Sequence, residues 1–331
     1  MNVKARFLPK KSSGGSRILS LELLKVLSAF LVVFYHLAYY KLDYGFAFGA
    51  VYSPNANRIL MCFAACSVPI FFLVNGYLMF HRKRSWQSVY AKAAKILVLM
   101  LVWHWLGFPS WFFRTLVILY LLFPLFQYCL EKKPALYLLG CIAVFLMPFV
   151  YNFALLFLKR AGVESLGPLS IANLNPTGAF TMYGALYFLL GPLLAKWKNV
   201  PVWACIVSIL AGWALVVFEG VSYTNLNGSM YDAVNSAFPT IGALLLATGL
   251  FLLLSKGSYT RASRPLMFLG GSVMPVYLMH MVFINLFQRI FGYGELSLPT
   301  SVLLSAVVFA HCALYGKLFE KTPVLCWFIR I

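Results

Sequence analysis

From position 18 to position 316 the sequence alternates between apolar stretches of about 17–25 residues and short polar or basic breaks. That is the length a helix needs to cross the hydrocarbon core of a bilayer. The stretches fall at roughly 18–39, 58–80, 92–108, 111–130, 135–158, 177–195, 200–218, 233–255, 267–289 and 298–316. The chain is 62% hydrophobic and 11% charged, where a soluble domain carries about 25% charged residues. The pattern predicts an all-α polytopic membrane protein, with about ten transmembrane helices and no separate soluble domain. A basic tail at 1–17 and a C-terminal tail at 317–331 flank the membrane domain at 18–316. The start imitates a signal peptide. However, the first apolar run is too long, contains Glu22 and Lys25, and is followed by no small-residue cleavage site, so it is expected to remain as the first span.

The net charge of +19 invites a nucleic-acid reading, but the distribution of the charge argues against one. With a cytoplasmic N-terminus, only Lys41, Arg58, Arg114, Lys159, Arg160 and Arg289 fall on the outer side. Lys25 sits inside the first apolar run, and the other twenty of the 27 Lys and Arg residues fall on the inner side. This asymmetry predicts two cytoplasmic termini and an even number of spans. The seven cysteines lie mainly in apolar segments; Cys62 and Cys66 share a helix face, but no His or carboxylate completes a metal set, so no metal is expected. Pro69, Pro124, Pro148, Pro192, Pro239 and Pro275 lie in or near spans, which implies kinked helices around a polar cavity. No internal repeat is evident, which weighs against a transporter. Outer loops are expected at 40–57, 159–176 and 219–232. The last is rich in Tyr and Asn, which suits sugar contacts and equally suits an interfacial belt.

Within the first apolar run stand Glu22, Lys25 and His36. Eleven residues separate Lys25 from His36, almost three helical turns, so they share a face about 16 Å apart along the axis. Glu22 lies one turn before Lys25. A charge at the bilayer centre costs roughly 2.5–3.5 kcal/mol, so such a stripe must face a polar interior. His36 is the best general base in the chain, and a core histidine is the alternative. Lys25 contacts an anionic ligand group, or pairs with Glu22, or both. Lys92 and Lys95, one turn apart after the inner loop His81–Trp86, suit phosphates and also anionic lipid headgroups. Further candidates for the cavity are Asn75, Arg114, Tyr120, Tyr277 and His280. No Gly-rich phosphate loop or nucleophile elbow is present.

Five segments in order resemble the acyltransferase-3 family of integral membrane acyltransferases. They are Glu22 and Lys25 followed by His36; 67–78 (SVPIFFLVNGYL); Lys92 with Lys95; Trp111 with Tyr120 and Pro124; and 270–280 (GGSVMPVYLMH). The length and the segments 177–195 and 219–255 look most like the stand-alone branch typified by the enterobacterial common-antigen O-acetyltransferase. The chain departs from the family pattern in having Lys at 25, 92 and 95 where relatives usually carry Arg, and Asn75 where they often carry Ser. Lys keeps the charge but not the bidentate fork for phosphate.

The resemblance implies an O-acyltransferase of the bacterial inner membrane. It would take acetyl from cytoplasmic acetyl-CoA and pass it to a hydroxyl of a surface polysaccharide or lipid-linked glycan. His36 is implied as the base, or as the residue that first handles the acyl group in a relay, Glu22 as a catalytic residue that holds Lys25 in place, and Lys25, Lys92 and Lys95 as the donor-binding cations. A transporter of glycan intermediates and a structural membrane partner are the competing expectations.

Overall fold

The computed structural model describes residues 18–39, 55–81, 84–105, 111–163, 183–197, 199–227, 240–292, 296–322 and 326–327. Every described element is a helix, and no strand occurs among the described residues. In chain order they are α1 (Leu19–Ala38), α2 (Ala56–Cys62), α3 (Ser67–His81), α4 (Trp86–Trp105), α5 (Trp111–Lys132), α6 (Pro134–Val144), α7 (Tyr151–Arg160), α8 (Tyr183–Leu194), α9 (Val202–Asn227), α10 (Ile241–Leu254), α11 (Ser263–Phe291) and α12 (Leu298–Phe319).

Among the described residues six stretches are long and apolar enough to cross a membrane: Leu19–Ala38, Ala56–His81, Trp111–Lys132, Val202–Leu226, Thr260–Ile290 and Leu298–Phe319. Pro134–Met147, Tyr183–Leu194 and Ile241–Leu254 are apolar but shorter. The helix α4 coincides with an expected span and is long enough, but Lys92 and Lys95 raise its charge. The outer loop expected at 219–232 begins later than anticipated. Helix α9 continues to Asn227 because Glu219, Ser222 and Thr224 are buried and the Thr224 hydroxyl donates 2.6 Å back to the Gly220 carbonyl. The rest of that loop, most of 40–57 and 159–176, the 1–17 tail and Pro239 lie outside the described residues.

Proline shapes the helices as its chemistry requires. Pro69 has no N–H for the Ala65 carbonyl one turn back, and a 3₁₀ turn occupies Phe63–Cys66 between α2 and α3. Pro148 lies in a π turn at Phe145–Val150, between α6 and α7. Pro124, Pro192 and Pro275 lie inside α5, α8 and α11.

The chain forms two compact units. One spans Phe72–Val200. Here the later part of α3 meets α8 backbone to backbone. A Cβ on Gly76 would collide with the Phe188 carbonyl, and one on Gly191 with the Leu73 carbonyl. The Tyr137 hydroxyl of α6 donates 2.7 Å to the Leu189 carbonyl, beside the turn that Pro192 interrupts. The other unit comprises Arg17–Phe71 and Pro201–Arg330. Its α9 and α10 approach closely at Gly212 and Gly242. Its α1 packs against α11 and α12. Glu22 lies against Gly270 and His36 against His280, so α1 and α11 run parallel. Phe283 of α11 meets His311 and Tyr315 of α12 as that helix returns.

The glycine contacts predict a contrast in stability. Gly76→Val, forced against a carbonyl, lowers unfolding stability by about 1–3 kcal/mol, read as a lower thermal midpoint in detergent. Gly140→Ala meets nothing within 4 Å and leaves the midpoint unchanged or raises it, by up to about 1 kcal/mol of helix propensity.

Candidate functional site

Helix α1 brings its polar groups to two levels of one unit. Near its N-terminus the Lys25 Nζ lies 2.8 Å from Glu22 Oε2, an ion pair one turn long. The Glu22 side chain is 7% exposed and that of Lys25 23%, so most of the pair is removed from solvent. Glu22 in the first turn also complements the positive end of the helix dipole. The space for its carboxylate exists because α11 carries glycine opposite it, since a Cβ at Gly270 would overlap Glu22 Oε2. One turn above Lys25, the fully buried Ser28 donates its hydroxyl to the Ser67 carbonyl and ties α1 to the start of α3.

At the far end of α1 stands His36. Its ring centroid is 5.1 Å from that of His280, with the planes at 41°. Tyr35 meets the same ring edge-on at 4.9 Å. His280 is buried, and its Nδ1 lies 2.8 Å from the Tyr277 carbonyl and 3.2 Å from the Val276 carbonyl. Tyr277, one turn earlier on α11, packs its ring 6.0 Å from His280 and 6.3 Å, edge-on, from Phe71. Two imidazoles and the rings of Tyr35, Tyr277 and Phe71 thus form one chain of ring contacts at the end of α1.

In the unit spanning Phe72–Val200, a second polar centre forms. Tyr120 of α5 is buried and its hydroxyl donates 2.9 Å to Asn75 Oδ1 of α3. The Lys92 Nζ of α4 sits 5.3 Å from the centroid of the same Tyr120 ring, a cation–π placement. Lys95, one turn after Lys92, is half-buried. Arg114 and His104 are exposed and do not join this centre. Among the described residues no three His, Cys, Asp or Glu side chains converge as metal ligands would.

The sequence pattern singled out Glu22, Lys25, His36, Tyr277 and His280, and the fold brings Glu22 to Lys25 and His36 to His280 and Tyr277. It also joins Asn75, Tyr120 and Lys92. Gly270 was not among the candidate site residues. A glycine pair in an otherwise bulky apolar helix signals close approach, but only the fold shows that the approaching group is a carboxylate. Arg58 and Glu219 were also missed. Both are almost wholly buried, although the sequence placed them at loop edges.

A family model described as an acyltransferase domain matches residues 18–109 and 104–316. No curated protein and no solved structure shows a significant match.

The ion pair predicts a testable asymmetry. Lys25→Met strands the Glu22 charge and lowers stability by roughly 2–3 kcal/mol, somewhat less than for a fully buried pair. The Glu22→Gln/Lys25→Met double variant regains most of that, measured as thermal midpoints of the purified protein in lipid nanodiscs. Equal loss in both variants would contradict the pairing.

Proposed function

We propose, from the premise that this chain belongs to the acyltransferase-3 family and is a membrane acyltransferase, that it transfers acetyl from cytoplasmic acetyl-CoA to a hydroxyl of a surface polysaccharide or lipid-linked glycan. In this reading it lies in a bacterial inner membrane with ten crossings and both termini in the cytoplasm. Lys25 at one end of α1 attracts the phosphates of the donor, and Lys92 and Lys95 on α4 are each assigned the same attraction on their own helix. Glu22 holds Lys25 in position. His36 takes the proton of the acceptor hydroxyl as its oxygen attacks the thioester carbonyl.

The observation that carries this reading is the layout of α1. Its charged pair and its imidazole lie on one helix, eleven residues apart between Lys25 and His36, a rise of about 16 Å. A phosphate-bearing head held at one level and a reacting thioester at the other suit a donor with a long flexible arm. The aromatic surround of His36 fits a neutral imidazole, which is the form that acts as a base. The Asn75–Tyr120–Lys92 cluster supports the cation role because a buried hydrogen-bonded phenol under the ammonium fixes where that charge sits.

His36→Ala should lower kcat by about 10²–10⁴-fold, the usual contribution of a positioned base, with acetyl transfer measured on the protein in nanodiscs. Near wild-type turnover removes His36 from the mechanism. Lys92→Ala/Lys95→Ala should raise KM for acetyl-CoA while kcat changes little. An unchanged KM assigns those lysines to lipid headgroups instead.

A further inference from the structure

The surroundings of His280 decide which of its nitrogens carries the proton. Nδ1 faces two backbone carbonyls, at 2.8 Å and 3.2 Å. A carbonyl oxygen only accepts, so Nδ1 must be the N–H. Nε2 is then a lone pair on the opposite edge of the ring, directed away from the backbone of α11. It is buried and has no hydrogen-bond partner among the described residues. Native proteins leave few buried acceptors unmet, and each such group needs a reason. The nearest imidazole is that of His36, 5.1 Å away between centroids. His36 is contacted by rings, with no hydrogen bond fixing its orientation among the described residues.

We infer that His280 is the positioning residue for His36: its Nε2 accepts the N–H of one His36 nitrogen, which leaves the other nitrogen as a lone pair for the acceptor hydroxyl. The rings stand 5.1 Å apart between centroids, a separation at which a nitrogen of one imidazole can reach a nitrogen of the other. The inference rests on the reading of His36 as base. The hydroxyl oxygen forms its bond to the acyl carbon while its proton passes to the free nitrogen of His36. The carbon–sulfur bond then breaks, and the thiolate leaving group takes that proton. Throughout, His280 keeps its own proton on Nδ1 and stays neutral. A neutral acceptor in this place orients the base without adding a second charge to an apolar interior, where a carboxylate would carry a heavy desolvation cost. The carbonyls of Val276 and Tyr277 come from the turn that follows Pro275.

The test compares His280→Asn, His280→Gln and His280→Ala in the full-length protein in nanodiscs. Acetyl-CoA and a glycan extract of the host envelope serve as substrates, and acceptor-dependent release of free coenzyme A is the signal. An Asn amide sits near the former Nδ1, and a Gln amide reaches the former Nε2. The expected result is a kcat loss of roughly 10–100-fold for Asn and Ala, the scale seen when a group that orients a reactive ligand is removed. Gln should return to within a few-fold of wild type, and KM for acetyl-CoA should stay unchanged in all three. Equal activity of Asn and Gln, whether both near wild type or both equally impaired, overturns the inference, as does a KM effect with kcat intact. His36→Ala is measured alongside. If it retains turnover, the base reading itself fails. If it is inactive while His280→Asn is normal, only the role of His280 is lost.

Discussion

Polar groups on an apolar helix have to be met by protein, because a hydrocarbon environment offers them nothing. Helix α1 carries three such side chains, Glu22, Lys25 and His36, and each is met within its own unit. Glu22 and Lys25 meet each other, in a gap left by Gly270. His36 meets His280. Both counterparts on α11 lie on one face of a single helix, so they fix the register of α1 against α11 as well as its direction. The packing of the unit and the layout of its polar groups therefore have the same cause. Substituting a bulkier residue at Gly270 would disturb the ion pair and the helix contact together.

The second polar centre follows the same rule with different parts. A tyrosine buried in an apolar bundle needs a partner for its hydroxyl, and Asn75 supplies one. Lys92 spreads its charge over the ring face rather than into lipid. The close backbone contact of α3 with α8, through Gly76 and Gly191, holds Asn75 on a well-packed helix. Membrane helices use small residues in this way because close packing replaces the missing hydrophobic drive between them. A site built on such contacts inherits their precision.

Much of this was legible in the sequence, and the parts that were not share a physical reason. Segment lengths located the helices because the bilayer sets the length independently of tertiary contacts. The spacing of Glu22, Lys25 and His36 revealed one face because helical periodicity is local. The end of α9 was misplaced because Glu219, Ser222 and Thr224 read as loop residues, yet all three are buried, and the Thr224 hydroxyl donates back to the Gly220 carbonyl inside the helix. Long-range pairing was hidden: nothing local to Gly270 names Glu22, and nothing near Tyr120 names Asn75. The tautomer of His280 likewise depends on the path of its own backbone around Pro275 and Tyr277, which residue identities alone do not specify.

The proposed function places acetyl transfer to a glycan on this face of α1. The direct measurement is mass spectrometry of envelope glycans from cells that lack the native copy and express either the wild-type chain or His36→Ala. Glycans heavier by one acetyl group are expected with the wild-type chain and none with His36→Ala. Acetylated glycan in both strains, or in neither, would contradict the proposed function.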